Sequence, residues 1–204
     1  MSKNELFINK SSNNIIVCFS GNSLKFAGVT QFEFVKTLNL LYPDYDKLFL
    51  QDDTSRWYLY GINGISNNII ETKNYIQKKI KKYKNITFIG TSSGGYAAIL
   101  FGSLLNINKV ISFIPQTNLN VIKRKNIIND NNKKYIDLKK FINNNTKYFL
   151  IGKYSNNDKN DLHSIHQCNY LQEFSNVKII KIKKSLIEIR NNKYLNKLLQ
   201  DIID

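Results

Sequence analysis

The stretch Ile86–Leu105, ITFIGTSSGGYAAILFGSLL, constrains this chain more than any other. It opens with Ile86-Thr87-Phe88-Ile89, an apolar run rich in β-branched and aromatic residues that predicts a buried strand. From Gly94 the residues turn small and then apolar at helical spacing: Ala97, Ala98, Phe101, Leu104, Leu105. The junction is Gly90-Thr91-Ser92-Ser93-Gly94, a G-x-S-x-G. A serine at a sharp strand-to-helix turn is held in a strained conformation, so its neighbours two residues away must lack side chains that would clash. Such a turn lifts Ser92 Oγ clear of the sheet at the positive end of the following helix. It also aims the N–H of Ser93 where an oxyanion would form. The competing readings are a glycine-rich turn without chemistry and a phosphate cradle. No Walker lysine follows and G-x-G-x-x-G is absent, so nucleotide binding has little support.

The elements around this junction alternate. Leu6-Phe7-Ile8 suits an edge strand, and Ile15–Phe19 (IIVCF) reads as a strand buried on both faces. Its end, Ser20-Gly21-Asn22, is a small turn of the kind that supplies a second oxyanion donor from a backbone N–H of Gly21 or Asn22; an ordinary loop is the rival reading. Residues 30–41 read as a helix stopped by Pro43, and 47–51 as a strand. Asp52 and Asp53 then precede Arg56, Trp57 and Tyr58. With no histidine or third carboxylate nearby, the pair reads as a structural loop in which one Asp pairs Arg56, while Trp57 and Tyr58 are candidates to wall a substrate cleft. Residues 66–83 predict a long helix with a solvated basic face, and 109–114 a strand closed by Pro115. The polar segment 117–146, helical only at 135–142, would form a small cap or lid over a site. Strands at 147–151 and 177–182, a helix from 163 to 174 and a terminal helix at 190–203 complete the pattern. Alternation of this kind demands crossovers. It predicts a single three-layer α/β domain over 1–204, its mostly parallel sheet having about five to six strands with helices on both faces. The ligand site belongs at the carboxyl ends of those strands, where Ser92, the 20–22 turn, Trp57 and the pair Asp158/Asp161 all fall.

Composition sets outer limits. At 42% hydrophobic residues, with 12 Phe and 12 Tyr, the chain has the makings of a folded core. No apolar run of about 18 residues exists to span a membrane. Residues 1–14 lack the apolar region of a signal peptide, so a cytoplasmic location is expected. Cys18 and Cys168 read as reduced packing residues. Two histidines exclude a His-rich metal site, and no metal or cofactor is expected. The net charge of +15 suits anionic partners. Lysine and asparagine nevertheless recur everywhere beside isoleucine, as an AT-rich genome would produce. The basic residues are spread rather than grouped with aromatics on one stripe, which argues against nucleic acid.

Strand, G-x-S-x-G, helix and an acid after a later strand resemble the α/β-hydrolase fold over most of the chain, from about Ile15 onward. The run IGTSSGGYAAILFG followed by FIPQT is also similar to small bacterial hydrolase-like proteins of capsule and surface polysaccharide synthesis, among them O-acetyltransferases acting on sugar hydroxyls. The resemblance implies Ser92 as nucleophile, Ser93 N–H with Gly21 or Asn22 as oxyanion hole, and Asp158 or Asp161 as triad acid. It breaks at the base. A histidine normally follows the last strand, here near residues 183–189, and none is there; Glu188 is a poor substitute for a base that must later donate its proton. Either His163 or His166 takes the role from the acid loop, or the machinery is incomplete. The expectation is a serine esterase or acyltransferase acting on a small or carbohydrate ester, including O-acetyl groups. The rival is a catalytically incomplete hydrolase-like protein that binds a glycan or a protein partner.

Overall fold

The computed structural model describes residues 2–21, 25–26, 29–30, 32–121, 128–154, 165–183 and 193–204. Its frame is a sheet of seven strands: β1 (Glu5–Ile8), β2 (Asn14–Phe19), β5 (Asp46–Leu50), β6 (Asn85–Thr91), β7 (Lys109–Phe113), β8 (Lys147–Lys153) and β9 (Val177–Ile182). The order is β1-β5-β2-β6-β7-β8-β9, antiparallel at β1–β5 and parallel elsewhere. A separate two-stranded ribbon pairs β3 (Lys25–Phe26) with β4 (Val29–Thr30). Six parallel strands match the expected five to six, and the seventh, β1, is the edge strand expected at Leu6-Phe7-Ile8.

The continuous apolar runs are what a sheet covered on both faces requires. Ile15, Val17 and Phe19 enter one buried cluster, with α2 (Ile69–Ile80), α3 (Ser93–Leu105) and α4 (Ile165–Asn169). Ile16 and Cys18 enter the other, with α1 (Val35–Leu41) and α5 (Lys193–Ile203). Both cysteines are free and buried. Lys109 Nζ donates to the carbonyls of Ile202 and Ile203 at 2.6 and 2.7 Å, capping the open end of α5.

Several element bounds differ from expectation for local reasons. Helix α1 starts at Val35 instead of residue 30, because Phe34 is left-handed (φ 65°) and Val29–Thr30 is spent on β4. Helix α2 is confined to Ile69–Ile80. Asn68 Oδ1 accepts the Glu71 N–H at 2.9 Å, and Glu71 reaches back to the Asn67 N–H at 2.8 Å. The helix expected over 163–174 is α4, only five residues long within the described chain. The helical patch expected at 135–142 is two single 3₁₀ turns, Lys133–Tyr135 and Leu138–Lys140. The described parts of 117–146 pack beside α3: Tyr135, Ile136 and Leu138 join the core, and Tyr96 Oη donates to the Tyr135 carbonyl at 2.6 Å. Among the described residues no helix is long and apolar enough to cross a membrane.

Asp46 ties the amino end of the sheet, away from the strands' carboxyl ends. It is fully buried, and accepts from the Tyr83 hydroxyl and from the amides of Lys10 (2.7 Å) and Ser12 (3.2 Å), with Lys82 Nζ at 3.6 Å. Burial alone would raise its carboxyl. The Tyr83 hydroxyl, the two amides and the Lys82 charge prevail and hold it below the ordinary range. A depressed folded-state value contributes stability in full above the unfolded value, about 4, and loses it as pH falls through the folded one. Tyr83→Phe is expected to cost about 1.5–3 kcal/mol at pH 7, a hydrogen bond to a charge. Urea midpoints at pH 7 and pH 3 check this, and the deficit should shrink at the lower pH.

Candidate active site

The chain leaves β2 for β5 on one side and leaves the neighbouring β6 for β7 on the other, so the winding reverses between β2 and β6. The following helices lie on opposite faces, which opens a crevice at this point. Ser92 stands on one lip and Ser20–Gly21 on the other.

Ser92 has φ 54° and ψ −116°, an outlying conformation for a residue with a side chain. Its N–H donates to the Phe113 carbonyl at 2.9 Å, and its own carbonyl accepts the Tyr96 N–H at 2.9 Å. One bond belongs to the sheet and the other to α3, and the turn between them absorbs the strain. The two motif glycines are there for space. A Cβ on Gly90 would lie 2.0 Å from the Gly94 carbonyl oxygen, and one on Gly94 would lie 2.1 Å from the Phe19 carbonyl oxygen. Ser92 is half-buried, and Ser93, the first residue of α3, has an N–H with no intrahelical acceptor. The side-chain oxygens of Thr91, Ser93 and Ser112 are buried without a partner among the described residues.

The opposite lip is fixed from three directions. The Ser20 N–H donates to the Leu50 carbonyl at 3.0 Å. Tyr58 Oη lies 2.8 Å from the Ser20 carbonyl and 3.1 Å from that of Leu50. Glu33 meets the turn twice: its N–H donates to Ser20 Oγ at 3.3 Å, and its Oε2 accepts the Gly21 N–H at 3.0 Å. A Cβ on Gly21 would come 2.9 Å from the Thr91 carbonyl oxygen, so this turn presses on the residue preceding Ser92. Asn22 lies outside the described residues.

The loop after β5 is built on Asp52. This buried carboxylate accepts from the amides of Thr54 (2.9 Å), Arg56 (2.8 Å) and Tyr58 (2.9 Å) and from the Thr54 hydroxyl. The expected pairing with Arg56 is therefore through the backbone. The Arg56 guanidinium lies over the Tyr60 ring, 4.4 Å from its centroid. Asp53 instead meets Lys3 at 3.3 Å and Asn63 at 2.8 Å. Ser55, Trp57 and Tyr58 all have positive φ. Tyr58 is wholly buried, its phenol pushed well up by burial and by the Asp52 charge, so it supports the turn from beneath and presents no surface to a cleft. Trp57 is also buried, and its indole N–H donates to Gln116 Oε1 at 2.5 Å.

Gln116 and Thr117 join the remaining loops. Ile114 is strained (φ 42°) and donates to the Ile151 carbonyl at 2.7 Å, which turns Pro115-Gln116-Thr117 across the sheet end. Thr117 Oγ1 donates to the Gln167 carbonyl at 2.6 Å, and the Asn118 N–H to Gln167 Oε1 at 3.0 Å. The tie draws α4 toward the loop after β7. His166 sits on the exposed side of α4. Asp158, Asp161 and His163 lie outside the described residues. Sequence reasoning missed Glu33, Gln116 and Gln167. Glu33 falls in the 30–41 stretch that reads as a helix, and no spacing rule announces a contact twelve positions back. Among the described residues, no group of three or more His, Cys, Asp or Glu is placed to hold a metal ion.

No family model and no curated protein matches the sequence. Solved structures do match. A Staphylococcus aureus protein of unknown function superposes at TM-score 0.69 and 14% identity, over 97% of this chain and 91% of that one. A capsule O-acetyltransferase of Neisseria meningitidis serogroup A, a histidine-to-alanine variant in complex with CoA, superposes at 0.69 and 18% identity, over 98% and 91%. The fluorophosphonate-binding serine hydrolase F of Staphylococcus aureus superposes at 0.61 and 11% identity, over 94% and 84%. At such identities the likeness speaks for architecture, and together with the strand order it establishes that this chain has the α/β-hydrolase fold.

Proposed function

We infer that this chain is a serine esterase or O-acyltransferase and that Ser92 carries the acyl group. The observation behind the reading is the Ser92 backbone, φ 54° and ψ −116°, at the amino end of a 13-residue helix. Such a conformation costs on the order of 1–3 kcal/mol and persists only where its surroundings over-determine it. Ser92 Oγ attacks the ester carbonyl carbon and its proton passes to a base. The carbonyl oxygen becomes an oxyanion received by the Ser93 N–H and an amide of the Gly21–Asn22 turn. Collapse expels the alcohol or thiol, which takes the proton, and water or a sugar hydroxyl then attacks the acyl-serine. For the base we take His163, on the segment joining β8 to α4, ahead of His166 on α4 itself, and for its partner Asp158 or Asp161 on that same segment. The acetylated-carbohydrate reading is supported by the neighbouring capsule O-acetyltransferase. Its complex with CoA makes an acyl thioester the first donor to try.

The test is a fluorophosphonate probe on wild type and Ser92→Ala between pH 6 and pH 9, read by peptide mass spectrometry. One adduct is expected on Ser92 and none on the variant; an unlabelled wild type across that range rejects the reading. The non-catalytic alternative draws on one observation: His166, the one histidine among the described residues, is on the exposed side of α4. It predicts that Ser92→Ala leaves glycan or partner binding intact.

A further inference from the structure

We propose that Glu33 is an internal occupant of the oxyanion hole, a carboxylate that holds the Gly21 amide in the resting protein and must be displaced before an acyl carbonyl can react. The inference rests on the reading of Ser92 as nucleophile and of the Gly21 N–H as an oxyanion donor.

The Gly21 N–H points to Glu33 Oε2 at 3.0 Å. Gly21 is packed against the elbow, with the Thr91 carbonyl oxygen only 2.9 Å from where a Cβ at position 21 would lie. On that same point Glu33 Oε2 stands at 3.6 Å, so carboxylate and elbow converge on one small volume. Glu33 is itself anchored. Its N–H is bound to Ser20 Oγ at 3.3 Å, and Phe34 takes a left-handed φ of 65° as the chain turns into α1.

A carboxylate oxygen and a tetrahedral oxyanion are the same kind of acceptor: anionic and satisfied by short bonds from amides. One N–H cannot serve both well. A carboxylate left in place would also repel the charge that develops beside it. The contact therefore opposes the transition state for as long as it lasts. Displacement breaks the charge-assisted hydrogen bond from the Gly21 N–H, and Glu33 is half-buried, within reach of water once it leaves.

The experiment measures the second-order rate of fluorophosphonate labelling at Ser92 in the full chain, for wild type, Glu33→Gln and Glu33→Ala. The phosphonyl oxygen takes the oxyanion's place, so the rate reads the competition directly. Glutamine keeps the shape but loses the charge, while alanine removes the acceptor. The expected order is Ala above Gln above wild type, with alanine about tenfold faster. A role confined to holding the turn predicts the reverse, so an alanine rate equal to or below wild type overturns the proposal while leaving Ser92 labelled. Absence of an adduct in all three proteins rejects the nucleophile itself. Because the anchoring bond to Ser20 comes from the Glu33 backbone, both variants keep it. Should near-UV circular dichroism show that alanine disturbs the fold, the glutamine rate decides alone: above wild type supports, equal or below overturns.

Discussion

Gly94→Ala is expected to destabilise the protein by about 3 kcal/mol or more, at the upper end of overpacking costs, and to abolish labelling of Ser92. The added Cβ would lie 2.1 Å from the Phe19 carbonyl oxygen, 2.7 Å from its carbon and 2.8 Å from the Ser20 carbonyl carbon. All three are backbone atoms at the end of a central strand paired on both sides, so none can retreat as a side-chain tip would. Relief requires the first turn of α3 to lift away from β2. That movement carries Ser92 and the Ser93 amide with it, so stability and chemistry fail together. Gly102→Ala on the same helix is the control. Its Cβ meets a side-chain atom, the buried Val110 Cγ2 methyl, at 2.4 Å and at a position remote from the turn, so stability falls while Ser92 labelling persists. Urea unfolding reads the difference as a shift in midpoint at unchanged slope. A Gly94→Ala protein labelled at the wild-type rate would remove the steric account of the motif.

How much of this was legible beforehand follows from how far each signal reaches along the chain. The elbow was visible because its demands are local: strand, two glycines and helix lie within twenty residues. The parallel sheet was visible because alternating elements leave few topologies, and the carboxyl-end placement of the site followed from it. The failures are tertiary. Residues 30–41 read as one helix, yet the Ser20–Gly21 turn claims both the N–H and the carboxylate of Glu33, and Phe34 turns left-handed before α1 begins. Tyr58 looked like a cleft aromatic because it follows a strand end. Only the folded chain shows its hydroxyl beneath Ser20 and Leu50. Gln116 was in view within FIPQT, but an isolated glutamine carries no sequence mark that it will receive an indole from 59 positions away.

The same distinction governs the two neighbouring aspartates, which sequence cannot separate. Asp52→Ala is expected to cost about 3–4 kcal/mol and to slow Ser92 labelling, while Asp53→Ala should cost about 1 kcal/mol or less. Asp52 Oδ1 accepts from the Thr54 amide and hydroxyl, and Oδ2 from the Arg56 and Tyr58 amides. Removing it strands three backbone N–H groups in a loop where Ser55, Trp57 and Tyr58 already hold positive φ, so the strain loses its restraint. Tyr58 then loosens its hold on the Ser20 carbonyl, and Trp57 its bond to Gln116. Asn at position 52 should recover little. Whichever way the amide is turned, its NH₂ faces donors that the carboxylate oxygen had accepted. Asp53, by contrast, has a largely buried side chain whose partners are exposed side chains, Lys3 at 3.3 Å and the Asn63 amide at 2.8 Å, so its loss strands no backbone N–H. Urea midpoints and labelling rates for the three variants decide the matter. Equal losses at 52 and 53 would mean that this loop is not organised by a buried carboxylate, and that the Ser20–Gly21 lip is held in place by something else.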